Sequence, residues 1–128
     1  MFCCSFMEKR THILITGPPG VGKTTLVQKL CKTLMKPVLG FYTEEIRGSN
    51  GARLGFDVVS LDNELNRKPL ARENSEIIGP KVGKYTVMLG DFESIALPCL
   101  HRAMTGDNGT IVIDEIGISN KNYVAHIR

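Results

Sequence analysis

Residues 12–26 read HILITGPPGVGKTTL: a short apolar run, a glycine-rich turn and the start of a helical pattern. Isoleucine and leucine fill the run from His12 to Thr16 almost without a polar break, which predicts a strand buried on both faces. Beyond the turn, Leu26, Leu30 and Leu34 recur at four-residue spacing with Val27 and Cys31 beside them, so a helix is expected over 23–36, stopped by Pro37. Strand, tight turn and helix in that order open an α/β unit.

The turn, Gly17-Pro18-Pro19-Gly20-Val21-Gly22-Lys23-Thr24, carries the spacing G-x-x-x-x-G-K-[ST] between a strand and a helix, the context that gives the spacing meaning. A loop that wraps phosphate oxygens turns its backbone N–H groups inward, and glycines at 17, 20 and 22 permit that path at low steric cost. The following helix points its partly positive N-terminal end at the same anion. Lys23 adds a full charge at the β- and γ-phosphates, the Thr24 hydroxyl suits Mg²⁺, and Thr25 is a secondary contact.

Outward from the turn, 38–47 and 53–61 are β-rich and flank Gly48-Ser49-Asn50-Gly51, the pattern of an antiparallel hairpin. Residues 62–80 are polar and aperiodic, with two prolines, and read as a loop; 84–89 reads as a strand. Asp91 is the expected N-cap of a helix over 92–104, with Ile95, Cys99 and Ala103 on its apolar side and a kink at Pro98. Residues 110–116, TIVIDEI, form an apolar strand ending in two acids, and 117–128 have no firm period. There is no internal repeat and no second domain.

Asp114 stands where a nucleotide-bound Mg²⁺ needs a carboxylate at a strand's carboxyl end, and Glu115 beside it suits a general base that polarises water. Acids are also common at ordinary strand ends, and alternation sends neighbouring side chains opposite ways unless the strand has ended. Glu44, Glu45 and Arg47 near the hairpin tip are candidates to approach a γ-phosphate, yet an exposed hairpin normally carries such charges, and that is the favoured reading. Arg72, Lys81 and Lys84 flank the loop and suit transition-state charge, although solvated cations are the default there. His12, His101 and His126 share no spacing, and Cys31 and Cys99 read as core.

The formal net charge of +3 is too small to argue for nucleic acid or a membrane surface. No apolar run approaches the roughly 18 residues that span a bilayer. The cysteines, Cys3, Cys4, Cys31 and Cys99, lack CxxC spacing and are too sparse for a disulfide framework, which fits an intracellular, reducing compartment, the cytoplasm by expectation. The N-terminus lacks a signal-peptide pattern, and 1–10 read as a frayed extension.

Three segments, ILITGPPGVGKTTL (13–26), GFYTEEIRGSNGARLGFDVV (40–59) and IVIDEIG (111–117), with FESIALPCL (92–100), together resemble the cancer-related nucleoside-triphosphatase family of animals and its thermophile bacterial and archaeal relatives. The resemblance implies a RecA-like P-loop α/β fold, a three-layer sheet with flanking helices. It also implies Mg²⁺-dependent hydrolysis of ATP, GTP, CTP and UTP to the diphosphate and phosphate. By the same resemblance Gly17, Pro18, Pro19, Gly20, Val21, Gly22, Lys23, Thr24 and Thr25 contact the nucleotide. Ile111, Val112, Ile113, Asp114, Glu115, Ile116, Gly117 and Ile118 form the second contacting segment. Lys23 and Glu115 are then the catalytic pair, and Thr24 and Asp114 the metal ligands.

Family members continue past DEIG with a further helix and strands, whereas here Ile118 to Arg128 match none of that. The expectation is an incomplete P-loop domain over 11–117, lacking its C-terminal strands, with a foreign tail over 118–128. Eleven residues are too few for a crossover and a strand, so central strand edges would stand exposed and both stability and turnover would suffer. Two alternatives share the phosphate loop: a nucleoside or small-molecule kinase, and a non-catalytic fragment that binds nucleotide or a partner.

Overall fold

Val38–Arg47 (β1) and Arg53–Ser60 (β2) pair antiparallel around a turn closed by hydrogen bonds from Gly51 N–H to the Gly48 carbonyl (2.9 Å) and from Gly48 N–H to the Ala52 carbonyl (2.8 Å). Phe41, Tyr42, Thr43, Val58 and Val59 supply the branched and aromatic side chains that a pleated surface accommodates. The structure is a computed structural model and describes residues 13, 15–35, 37–73, 76–105 and 109–114. The expectations for the extension 1–10, for Glu115 to Ile118 and for the tail 118–128 lie outside those residues, as do His12 and His126.

Around the hairpin stand Lys23–Thr33 (α1), Arg67–Glu73 (β3), Lys81–Val82 (β4), Tyr85–Val87 (β5), Leu89–Met104 (α2) and Thr110–Asp114 (β6). The six strands form one sheet in the order β4-β5-β3-β2-β1-β6, antiparallel throughout except for β1 and β6. Those two run parallel in a register from Val38 opposite Thr110 to Tyr42 opposite Asp114. The mixed sheet with flanking helices is the α/β fold expected.

α2 covers one face of the sheet. Phe41, Val58, Ile95, Ala96 and Cys99 are the buried cluster, with Leu70, Phe92 and Ile113 packed against it. Phe41 meets Phe92 edge-on at 5.5 Å, and burying each such side chain is worth about 1.5–3 kcal/mol. Because Phe41 and Val58 face α2, alternation puts Tyr42, Glu44, Asp57 and Val59 on the other face, and the register adds Asp114 to it.

Several expectations need correction. The polar stretch 62–80 contains β3, whose only buried residue is Ala71. Its ladder to β2 is reinforced by arginines reaching Asp57, so neither hydrophobic alternation nor an apolar run announces it. Its Pro69 sits opposite Asp57, beside a register shift that accommodates the missing N–H. The strand over 84–89 shortens to β5 and pairs with β4 through a turn in which Gly83 takes φ +58. α2 starts at Leu89 rather than after an Asp91 cap, and Asp91 lies in its first turn, where it pairs with Lys68 at 3.6 Å. Pro98 lies within α2, as expected.

The described part of the 12–16 run, Ile13, Ile15 and Thr16, forms no strand, and Ile13 is 81% exposed. Among the described residues no strand pairs with the outer edge of β6, so an apolar run has no ladder to join there. α1 ends at Thr33 and buries no residue: Leu26, Leu30 and Leu34 are 47%, 45% and 41% exposed. Cys31 is accordingly only half-buried, whereas Cys99 is buried, and both are free thiols. Among the described residues no helix is long and apolar enough to cross a membrane.

Candidate active site

The 17–24 loop owes its path to two glycines in the left-handed region, Gly20 at φ +76 and Gly22 at φ +101, conformations that cost other L-residues about 1 kcal/mol or more. Gly22 is also the N-cap of α1, and its carbonyl accepts the first helical bond from Leu26 N–H at 2.9 Å. A cap residue without a side chain leaves the first N–H groups of the helix unsatisfied, and no acid stands in the first turn to neutralise them. An anion is the natural complement of that helix end. Pro18, Pro19 and Val21 are exposed along the loop.

Lys23 folds back over this turn. Its ammonium donates to the carbonyl of Gly17 at 2.7 Å and to that of Pro18 at 2.9 Å. Thr24 and Thr25 are exposed on the first turn of α1. Thr24 lines a cavity of about 340 Å³ together with Gln28 from α1, Tyr42, Thr43, Glu44 and Glu45 from β1, and Phe56 from β2. The cavity thus lies between the helix that leaves the loop and the carboxyl-terminal half of β1, and ligands of open α/β sheets gather at that end of the strands.

Asp114 ends β6 beside Tyr42. Its Oδ2 is buried and has no hydrogen-bond partner among the described residues, an arrangement that costs free energy unless something else satisfies the oxygen. Burial pushes the Cys31 thiol above its ordinary pKa, and the charge of Asp114 adds to the rise. Ile111, Val112 and Ile113 are the body of β6; Ile111 is exposed and Ile113 packs on the core. A lone carboxylate oxygen and a threonine hydroxyl are hard donors that fit Mg²⁺, which takes one or two protein oxygens and keeps the rest for phosphates and water. Among the described residues no group of three or more His, Cys, Asp or Glu side chains stands together.

The same face carries an ion network. Arg67 donates from Nε and Nη2 to Asp57 Oδ2 (3.0 and 2.9 Å) and from Nη2 to Glu44 Oε2 (2.5 Å). Arg72 reaches the other Asp57 oxygen and also the Phe56 and Ala71 carbonyls (2.6 and 3.0 Å). Glu44, then Asp57, hold the Arg67 guanidinium above its ordinary range. Burial raises the Tyr42 hydroxyl, helped by Glu64 and Glu44 and opposed by Arg67. On the other face of β1, Glu45 is paired with Arg47 and with Arg53 at 2.8 Å.

The cavity therefore brings together Thr24, Glu44 and Glu45, with Asp114 paired to Tyr42 of its wall and Lys23 just before Thr24 at the start of α1. Lys81 and Lys84 do not join them: β4 and β5 form the opposite edge of the sheet from β6, and Lys84 pairs there with Glu73 at 2.8 Å. His101 is exposed on α2. Tyr42, Gln28, Phe56 and the Asp57–Arg67 pair escaped sequence reasoning. The GFYTEE segment marks Tyr42, but Arg67 lies on a strand with no sequence signal.

The model of the NTPase family matches residues 12–121. The cancer-related nucleoside-triphosphatase homolog of Bos taurus is 50% identical over 116 residues, covering 83% of this chain and 60% of that protein. The human cancer-related nucleoside-triphosphatase is 48% identical over the same coverage. The nucleoside-triphosphatase THEP1 of Thermotoga sp. (strain RQ2) is 49% identical over 106 residues, 82% of this chain and 57% of the relative. The crystal structure of THEP1 from Aquifex aeolicus matches with a TM-score of 0.61 at 37% identity, over 77% of this chain and 55% of that one. The chain spans about 60% of the length of the curated relatives it matches.

Proposed function

The chain belongs to the NTPase family, and from that premise we propose that it is a nucleoside-triphosphate phosphohydrolase, releasing phosphate from ATP, GTP, CTP or UTP with water as acceptor. The observation that carries this reading is the loop: left-handed Gly20 and Gly22, an uncapped helix start, and a lysine bent over the turn. The names of the relatives, nucleoside-triphosphatases from animals and thermophiles, support the same reaction.

In this reading the loop amides and the N-terminus of α1 hold the β- and γ-phosphates. Lys23 exchanges its two carbonyl acceptors for phosphate oxygens, a stronger charge-assisted contact. Thr24 and Asp114 would hold Mg²⁺, whose chemistry when bound is to neutralise charge on the β/γ oxygens. Glu115, the next residue after Asp114, orients the attacking water.

Phosphate release by the purified chain, measured with each of the four triphosphates with and without Mg²⁺, tests the proposal. Release without any added acceptor separates a hydrolase from a kinase. Lys23→Ala is expected to weaken nucleotide binding by roughly tenfold to a hundredfold, the loss of one or two charge-assisted hydrogen bonds. A folded sample that releases phosphate from none of the four defeats the reading.

A further inference from the structure

Charge on the sheet is divided unevenly among the arginines. Arg72 is engaged by the Phe56 and Ala71 carbonyls and by Asp57. Arg47 and Arg53 are tied to Glu45 near the hairpin turn. Arg67 differs. Its Nε and Nη2 are fixed on Asp57, and Nη2 also reaches Glu44, which lines the cavity with Thr24. Its Nη1 carries two N–H groups that meet no acceptor among the described residues. The side chain is 39% exposed, while that of the Asp57 anchoring it is 13% exposed.

We propose that Arg67 is a catalytic residue of this site: its guanidinium meets the γ-phosphoryl oxygens of the bound triphosphate, with Asp57 as the positioning residue that aims it. The proposal rests on the phosphohydrolase reading and adds to it a second cation besides Lys23. Phosphoryl transfer has little covalent chemistry for a protein to perform, so its rate depends on positioned charge around the moving phosphoryl group. The water oxygen forms its bond to the γ-phosphorus as the bond to the β–γ bridging oxygen breaks. The electron pair leaves on the diphosphate, the water proton passes to the phosphate or solvent, and Arg67 transfers no proton.

The geometry of the pairing supports this role. A carboxylate gripping Nε and Nη2 holds the plane of the guanidinium fork and leaves Nη1 to point outward. Glu44 occupies the cavity wall, and its charge would repel a triphosphate unless a cation neutralised it, which Arg67 does at 2.5 Å. Lys23 has a comparable arrangement, resting on the Gly17 and Pro18 carbonyls. Lys23 would exchange those oxygens for phosphate, whereas Arg67 would keep Asp57 and offer Nη1.

The test uses the full chain with Mg²⁺ and three readouts. Arg67→Ala is expected to lower phosphate release about a thousandfold, in the range that removal of such an arginine produces, with triphosphate affinity held within about threefold. Guanidinium chloride at millimolar concentration should restore part of the lost rate to Arg67→Ala, and Arg67→Lys should not, because a point charge lacks the planar fork. Wild type should bind nucleoside diphosphate with aluminium fluoride, a mimic of the transferring phosphoryl group, more tightly than diphosphate alone, and Arg67→Ala should lose that gain. If Arg67→Ala fails to fold, Arg67→Gln, which keeps one donor for Asp57, takes its place in the same assays. Normal turnover, or unchanged aluminium fluoride binding, in a folded variant overturns the arginine role and leaves the hydrolase reading intact. A folded wild type that binds no nucleotide overturns both.

Discussion

Gly40 and Val112 pass so close across the parallel β1–β6 pair that a Cβ on Gly40 would stand 1.8 Å from the Val112 carbonyl oxygen. Gly40 also holds φ +126, a backbone conformation that side chains resist. Its carbonyl meanwhile accepts from Leu61 N–H at 3.0 Å and from the Cys99 thiol at 3.4 Å, so the backbone there is tied from both sides. Gly40→Ala is therefore expected to cost about 2–5 kcal/mol, strain and overpacking together. Gly51→Ala, also at positive φ (+78) but with nothing within 4 Å of the added Cβ, should cost about 1 kcal/mol. Urea denaturation of the two variants compares them directly, and equal losses would remove the close approach as the cause.

Asp57 and its two arginines predict an asymmetry. Replacing Arg67 and Arg72 together by methionine leaves a largely buried carboxylate without its ion pairs and should cost about 3 kcal/mol. Asp57→Asn removes the charge but leaves arginines that can turn toward water, and about 1 kcal/mol is expected. Denaturant midpoints that fall by the same amount in both variants would contradict this.

Acid should weaken the fold partly through Asp62. The Ser60 hydroxyl, foremost, and the Arg102 guanidinium at 2.7 Å hold its carboxyl below the ordinary value. A folded pKa below the unfolded one adds stability that is full above the unfolded value, near 3.9, and is lost as pH falls through the folded value. The pair is partly solvated, so the contribution is on the order of a few tenths of a kcal/mol after screening. Asp62→Asn should lower stability by that amount at neutral pH and flatten its decline below about pH 4. Acid limbs that superimpose for the two proteins would rule the pair out.

α1 and α2 should respond oppositely to mutation. Ile95 on α2 is 2% exposed within the core, and Ile95→Ala is expected to cost about 2–5 kcal/mol. Leu30 on α1 is nearly half exposed despite its place in an apolar stripe, so Leu30→Ser should change stability by no more than about 0.5 kcal/mol. A large loss at Leu30 would mean that this helix face packs against something in solution.

The amino-acid sequence by itself determined the features whose causes are local. The 17–24 loop was legible because only glycine takes the left-handed path at 20 and 22 without strain, and because the lysine and threonine follow at fixed offsets. The β1–β2 hairpin, the body of α2 and the acidic end of β6 were legible for the same reason: turn residues, apolar period and strand alternation act over a few neighbours. Asp114 could be placed at a strand end, but its orphaned Oδ2 is a consequence of what surrounds it.

Tertiary structure alone decided where distant partners compete. β3 pairs with β2 beside Asp57, whose carboxylate meets Arg67 and Arg72, ten and fifteen residues on, and no periodicity in RKPLARE encodes that partner. The 12–16 run has the composition of a buried strand, yet a strand needs a ladder, and no described strand stands at the outer edge of β6. The leucine stripe of α1 likewise promises burial that only a facing surface can provide. Local sterics shape a loop or a turn within its own residues, whereas strand pairing and burial are properties of two surfaces meeting, and the second surface lies elsewhere in the chain.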